Sequence, residues 1–260
     1  DKTFWKQVMK VTSFIKDESY PTWKYPRPIN SRSDYFKCLS GPLFKAIEKV
    51  VFKDPSFIKK VPRAEWPTFI MEKLDQMPYA YATDISSFEA TVELLFEVEF
   101  IVYDIAMHYF PEKMEILRRI LGINECHFKH VFVRVWRKRM SGEMNTSLGN
   151  GLICHILMSF VCFEQFGRMP IIVQEGDDTL FCCPGKLDSD MFERLSVEIK
   201  IEQVQAVNEG QFCQLLYHPD DLIVVRDPVP YLVAFSWVGG QYVHSIKHDS
   251  TLLICKALSC

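Results

Sequence analysis

Charge of one sign is missing from this chain. Its 260 residues carry 30 Lys and Arg against 33 Asp and Glu, a formal net charge of −3. That excludes a globally basic binder of nucleic acid, although a local basic groove can coexist with an acidic centre. Paired cysteines are missing too. The nine cysteines are scattered and form no CxxC pair, which argues against a disulfide framework and against a zinc module. Reduced thiols fit best. Cys126-His127 with His130 has no matching second pair. The longest apolar run, 152–163, is interrupted by His155 and is too short to span a bilayer. No signal peptide opens the chain. A start at Asp1-Lys2 without methionine and a stop at Leu258-Ser259-Cys260 suggest a piece of something longer. What is present is 48% hydrophobic residues and 24% charged, enough for the core of one large domain or two small ones.

The chain is organised around Gly176-Asp177-Asp178. Apolar residues flank it, Ile171-Ile172-Val173 before and Leu180-Phe181 after, a pattern that predicts a β-hairpin with two carboxylates at its tip. Adjacent like charges invite a cation or a surface turn, and the pattern alone leaves both open. Upstream, Tyr79–Asp84 predicts a strand ending at an aspartate, a position that suits a metal ligand or a helix cap. A long amphipathic helix is expected from Thr91 to about Tyr109, with Glu99 inside it anchoring a buried pair.

Residues 14–32 hold Pro21, Pro26 and Pro28 among Lys16, Lys24, Arg27 and Arg32. The prolines forbid a helix, leaving an extended cationic finger suited to phosphate oxygens, or else a polar surface loop. Helical periodicity marks 42–52 and 64–76 as scaffold. Alternation over 128–136 predicts a strand, leading through Arg137-Lys138-Arg139 into Ser141-Gly142 and then an apolar helix to about Phe166. Hydroxyls and amides at that helix entrance can read sugar hydroxyls or simply cap the helix. Gly149 and Gly151 inside the helix cost about 1 kcal/mol each relative to alanine, so something must approach the backbone closely there. A helix is expected over 188–199 with Lys200 just past its end. Strands follow over 211–217 and 222–225, and Pro228 opens a helix or loop.

In this order the pieces resemble the RNA-dependent RNA polymerases of positive-strand RNA viruses, most nearly the tombusvirus-like and flavivirus-like groups. Ser141-Gly142…Thr146…Gly149-Asn150 matches the Ser-Gly-x-x-x-Thr-x-x-Gly-Asn of their second palm motif, and six motifs occur in family order over 14–227. The resemblance implies an α+β right-hand polymerase. Its palm, an antiparallel sheet backed by helices, would comprise 79–109 and 141–227. Partial fingers would comprise 1–78 and 110–140, and 228–260 would start a thumb.

The resemblance also implies site roles. Asp84 and Asp177 would hold two Mg²⁺ ions, with Asp178 supporting, the Ile85 carbonyl assisting and Mn²⁺ able to substitute. Hard oxygen ligands of this kind are what phosphoryl transfer requires. Glu89, Ser141, Thr146 and Asn150 would read the ribose 2′-hydroxyl, although the family usually has Asp at position 89. Lys16, Glu18, Lys24, Arg27 and Ile29 would line the nucleotide access channel, with Lys24 and Arg27 contacting the triphosphate. Lys200 would act as general acid toward pyrophosphate, or be a helix-terminal cation. Phe212-Cys213 would support the primer end. Expected partners are an RNA template, a primer or nascent strand, ribonucleoside triphosphates and other viral replication proteins. The expected location is the host cytoplasm, at membrane-associated replication complexes. A reverse transcriptase, whose metal motif is commonly Tyr-x-Asp-Asp, a nucleotide cyclase and a catalytically dead RNA-binding palm are the rival readings. Glu89 and Asn150 favour RNA synthesis, Lys24, Arg27 and Phe212-Cys213 disfavour a cyclase, and the full set Asp84, Asp177 and Asp178 disfavours a dead palm.

Overall fold

The computed structural model describes residues 2–17, 23–85, 88–108, 111–204, 212–213, 215–218, 222–226, 228–235 and 246–258. Helix and sheet are mixed, an α+β chain. Its central sheet is fully antiparallel and joins β3 (Tyr79–Ile85), β6 (Ile171–Glu175), β7 (Asp178–Cys183) and β8 (Ile199–Val204) in the order β6-β7-β3-β8. Alternation along these strands divides two cores. Tyr81, Phe181 and Ile172 face helices α4 (Phe88–Ala106) and α6 (Thr146–Phe166), whereas Ala82, Leu180 and Val173 pack with Trp66 and Ile70 of α3 (Trp66–Leu74) and with Phe212. Burying an aromatic or aliphatic side chain of this size stabilises by about 1.5–3 kcal/mol, so the sheet is held firmly from both faces.

A second sheet, ordered β2-β1-β4-β5, is assembled from distant parts of the sequence: β1 (Lys10–Ile15) and β2 (Pro28–Arg32) pair as antiparallel strands, β4 (Ile123–His127) runs parallel to β1, and β5 (Phe132–Trp136) closes the edge. The proline-rich finger is therefore the connection of a strand pair, with Lys16 N–H donating to the Arg27 carbonyl at 2.9 Å. Helix α1 (Lys2–Met9) packs on α2 (Asp34–Val51), and α5 (Pro111–Gly122) packs on β4. Ser33 caps α2, its hydroxyl accepting from the Phe36 N–H at 3.3 Å. A third sheet pairs β9 (Leu215–His218) with β10 (Ile223–Arg226), followed by α8 (Pro228–Phe235) and α9 (Ile246–Leu258).

The strand expected over 128–136 begins only at Phe132, as β5, and of the one expected over 211–217 the structure describes Leu215–His218 as strand. Two further expectations change. The helix expected over 188–199 is only the single turn α7 (Asp190–Arg194), and Lys200 lies in strand β8 rather than past a helix end. Ser196 adopts a left-handed φ of 58° that ends the turn, and Ile199-Lys200-Ile201 then alternates against β3. The second concerns α6, which at 21 residues is long and apolar enough to cross a membrane, unlike the shorter run read from the sequence. Most of its apolar window is buried inside the protein, and it serves as the central core helix. Gly167 stops it at φ 62°, its N–H donating to the Phe163 carbonyl at 2.7 Å.

Candidate active site

The hairpin turn consists of Gly176 and Asp177, because Glu175 pairs directly with Asp178 across it. Gly176 has φ 64° at the first central position, the conformation a two-residue hairpin of this kind demands and that glycine adopts without strain. The register then lines up charges across the sheet. Glu175 opposes Asp178, the β3–β7 pairing carried one residue past Thr83–Thr179 sets Asp84 beside Asp178, and Asp84 opposes Lys200. Directly opposed residues share a face, so Glu175, Asp178, Asp84 and Lys200 form one row across four strands, with Asp177 at the exposed tip.

These carboxylates feel one another. Desolvation, then the charges of Asp177, Asp84 and Glu175, push the Asp178 carboxyl up to about 6, against a lowering by the Cys213 thiol that donates to it. Burial, then the charges of Asp178 and Glu175, push the Cys213 thiol up, so it remains a donor. Hard oxygen donors under mutual repulsion fit a divalent cation. As the side chains stand, no group of three or more His, Cys, Asp or Glu is gathered to hold a metal among the described residues. Lys200 pairs with Glu202 on its own strand, and that hydrogen bond, together with the charge of Asp84, holds its ammonium protonated.

Helix α6 underlies the hairpin. Ser147, Gly151 and Cys154 share one face of it, at spacings of four and three. A β-carbon on Gly176 would meet the Ser147 Cα at 3.9 Å, one on Gly151 would lie 3.5 Å from the Gly176 carbonyl and 2.9 Å from the Phe57 ring, and the Cys154 thiol donates to the Asp177 carbonyl at 3.8 Å. The close approach demanded by the two helical glycines is thus internal. At Gly149 the neighbour is an ion pair, the buried Arg139 and Glu99 side chains.

That ion pair fixes the loop leading into α6. Arg139 donates to Glu99, which also accepts from the Tyr103 hydroxyl and from Asn145 Nδ2 at 3.0 Å. Burial, and then the neighbouring Glu99 charge, push the Tyr103 phenol well up. A parallel network joins Arg32 to Glu143 at 2.8 Å and to Asn124. Between these anchors the Ser141 carbonyl accepts the Asn30 N–H at 2.8 Å, stitching the loop to β2. A cavity of about 490 Å³ opens there, lined by Lys16, Arg27, Ile29, Lys138 and Ser141 among others. Lys16 and Arg27, just beyond the ends of β1 and β2, and Lys138 of the loop before α6 thus line one space, suited to an anionic ligand.

Comparison with known proteins decides the family. A family model described as viral RNA dependent RNA polymerase matches residues 2–220. The chain belongs to the viral RNA-dependent RNA polymerase family. It is 26% identical over 251 residues to the RNA-directed RNA polymerase of Panicum mosaic virus (strain United States/Kansas 109S), a match covering 87% of this chain and 24% of that protein. Identity is 25% over 273 residues to that of Melon necrotic spot virus, covering 95% and 33%. It is 30% over 247 residues to that of Pothos latent virus (isolate Pigeonpea/India), covering 87% and 33%. The chain spans about a quarter to a third of the length of these relatives.

Against this polymerase family, the sequence-derived residues sort by geometry. Asp84, Ile85, Asp177, Asp178 and Lys200 meet at one end of the central sheet, and Cys213 joins them through Asp178. Phe212 is buried behind them against Trp66. Lys16, Arg27, Ile29 and Ser141 share the cavity, whereas Lys24 is exposed and does not line it. Glu18 and the side chain of Glu89 lie outside the described residues. Thr146 donates to the Glu143 carbonyl at 2.9 Å and so closes the turn before α6. Asn150 is buried, and its side-chain oxygen has no hydrogen-bond partner among the described residues. Sequence reading missed the Arg32–Glu143 pair and Lys59, which touches both Ser147 and Glu175. Lys59 lies 116 positions before Glu175, in a lysine pair with no periodicity, so nothing local marks it.

Proposed function

We propose that this chain is the catalytic core of an RNA-directed RNA polymerase that replicates a viral RNA genome. The observation that carries this reading is the row Glu175, Asp178, Asp84 and Lys200 at a Gly-Asp-Asp turn, in a chain of the polymerase family that also holds a cation-lined cavity. In this reading the β6-β7-β3-β8 sheet is the palm, formed by 79–109 and 141–227. Residues 1–78 and 110–140 are fingers, a grouping supported by the pairing of β1 with β4 in one sheet. Residues 228–260 begin the thumb.

Asp84, Asp177 and Asp178, with the Ile85 carbonyl, would hold two divalent cations of the Mg²⁺ or Mn²⁺ class. When bound, these supply Lewis-acid charge at the attacking 3′-oxygen and at the departing pyrophosphate. The protein's own groups do the rest. Lys16 and Arg27 grip the triphosphate as it passes the cavity, Arg27 with a bidentate fork. Glu89, Ser141, Thr146 and Asn150 read the ribose, and the unpartnered Asn150 oxygen leaves acceptor capacity for that task. Phe212 and Cys213 brace the primer end, with the Cys213 thiol steadying Asp178. Lys200, held protonated beside Asp84, donates a proton to the pyrophosphate. The test is divalent-metal-dependent incorporation of labelled ribonucleotides on a primed RNA template by the full-length protein, beside Asp177→Ala. Incorporation lost in the variant, with deoxynucleotides used much less well, supports the reading. A folded, RNA-binding protein that incorporates nothing refutes it.

A further inference from the structure

We infer that Lys59 is a positioning residue for the Gly176-Asp177-Asp178 hairpin, neutralising Glu175 so that it stays clear of Asp84, Asp177 and Asp178 on the metal side; the inference rests on the polymerase reading. Lys59 is the middle residue of a 3-10 turn, Ile58–Lys60, that follows a segment strapped along edge strand β6. The Gln174 N–H donates to the Ser56 carbonyl at 2.8 Å, and Phe57 bridges Gln174 in parallel. The strap is rigid at both ends. Asp54 accepts the Ser56 N–H at 2.8 Å, and the Phe57 ring is wedged against Gly151 and stacked on His155. From there Lys59 Nζ reaches Ser147 Oγ at 2.8 Å and Glu175 Oε1 at 3.2 Å, and Ser147 Oγ donates to the same Glu175 oxygen at 3.3 Å. This closed triangle ties together the strap, the first turn of α6 and the last residue before the turn glycine. The ammonium also sits 5.1 Å over the Phe52 ring.

The charge pattern explains why a cation belongs there. Glu175 and Asp178 are directly opposed across the hairpin, and like charges so placed destabilise the pair. Asp84 adds a third carboxylate to the row. Lys200 flanks the row on β8, and Lys59 flanks it at the β6 edge. Without Lys59, Glu175 either splays the hairpin or swings toward the metal donors. The contact is half-exposed, 40% for Lys59 and 27% for Glu175, so it contributes little to folding. A catalytic defect can therefore be separated from a folding one.

The test compares wild type, Asp177→Ala, Lys59→Met, Lys59→Arg and Lys59→Met/Glu175→Gln in the full-length polymerase. Expected for Lys59→Met is kcat about tenfold lower with KM for nucleotide within about twofold, a changed Mg²⁺ activation curve, and a melting temperature within about 2 °C. Lys59→Arg should keep at least about half of kcat. Adding Glu175→Gln to Lys59→Met should bring kcat back to within about threefold of wild type, because the uncompensated charge is gone. An active wild type and dead Asp177→Ala with Lys59→Met unimpaired overturns this inference and leaves the polymerase reading standing. So does a Lys59→Met loss that Glu175→Gln does not relieve, or one that comes with a large fall in melting temperature. An inactive wild type overturns the polymerase reading and this inference with it.

Discussion

Replacing Glu99 by Gln keeps the side chain's size and removes its charge. In the folded protein Glu99 and Arg139 are 1% and 2% exposed, and Glu99 collects Arg139, the Tyr103 hydroxyl and Asn145 Nδ2 on its two oxygens. The substitution strands the Arg139 guanidinium without a counter-charge and turns an amide NH₂ toward donors. Removing one member of a buried pair costs about 3–5 kcal/mol. For a chain of this size each kcal/mol lowers the melting temperature by about 2–4 °C, so the fall should be about 6–20 °C. The assay is a thermal melt of this 260-residue chain followed by circular dichroism at neutral pH. A double variant, Glu99→Leu with Arg139→Met, removes both charges and should melt above Glu99→Gln. A Glu99→Gln melt within about 2 °C of wild type would refute the account of the pair as a buried anchor for the loop into α6.

Further expectations follow from the same geometry. Gly149→Ala gains about 1 kcal/mol of helix propensity but drives a methyl into the buried Arg139 and Glu99 head groups, at about 1–3 kcal/mol. It should lower the melting temperature, and a rise in the melt would contradict the packing. Asp178, with its carboxyl at about 6 against an ordinary 3.8, contributes stability that is full below pH 3.8 and lost as pH rises through 6. For the same reason protons compete with a cation there. Mn²⁺ titrations followed by electron paramagnetic resonance should show affinity falling about tenfold per pH unit below 6, and a flat profile from pH 7 to 5 would count against Asp178 as a ligand. Arg27→Ala should raise KM for nucleotide about tenfold while kcat changes little in steady-state incorporation, and the reverse pattern would place Arg27 elsewhere than on the incoming triphosphate.

Local pattern carried the elements that depend on neighbours in sequence. The Gly176 turn, the strand ending near Asp84, the apolar helix to about Phe166 and the presence of two strands, expected over 211–217 and 222–225 and found as 215–218 and 223–226, all follow from turn chemistry and periodicity. Even the buried partner of Glu99 was foreseeable, because a carboxylate inside an apolar helix needs one. Where periodicity was read too far, the reading failed. The stretch after Asp188 has helical spacing at its start, yet Ile199-Lys200-Ile201 is claimed by β3, because a strand edge offers hydrogen bonds that an isolated turn of helix cannot match.

What the sequence determined by itself is the set of chemical groups and their order: carboxylates at a glycine turn, cations among prolines, small residues opening a helix. These are properties of side chains and of backbone torsions, and they are written locally. Tertiary structure alone decided which groups meet. Sheet register set Asp84, Asp178, Glu175 and Lys200 in one row, because only pairing between strands fixes which residues stand opposite. Packing decided that Gly149 makes room for an ion pair and Gly151 for an aromatic ring rather than for a ligand. It also brought Lys59 across 116 positions to Glu175, a contact that no periodicity announces, because long-range contacts are chosen by the shape and charge of the folded surfaces that carry them.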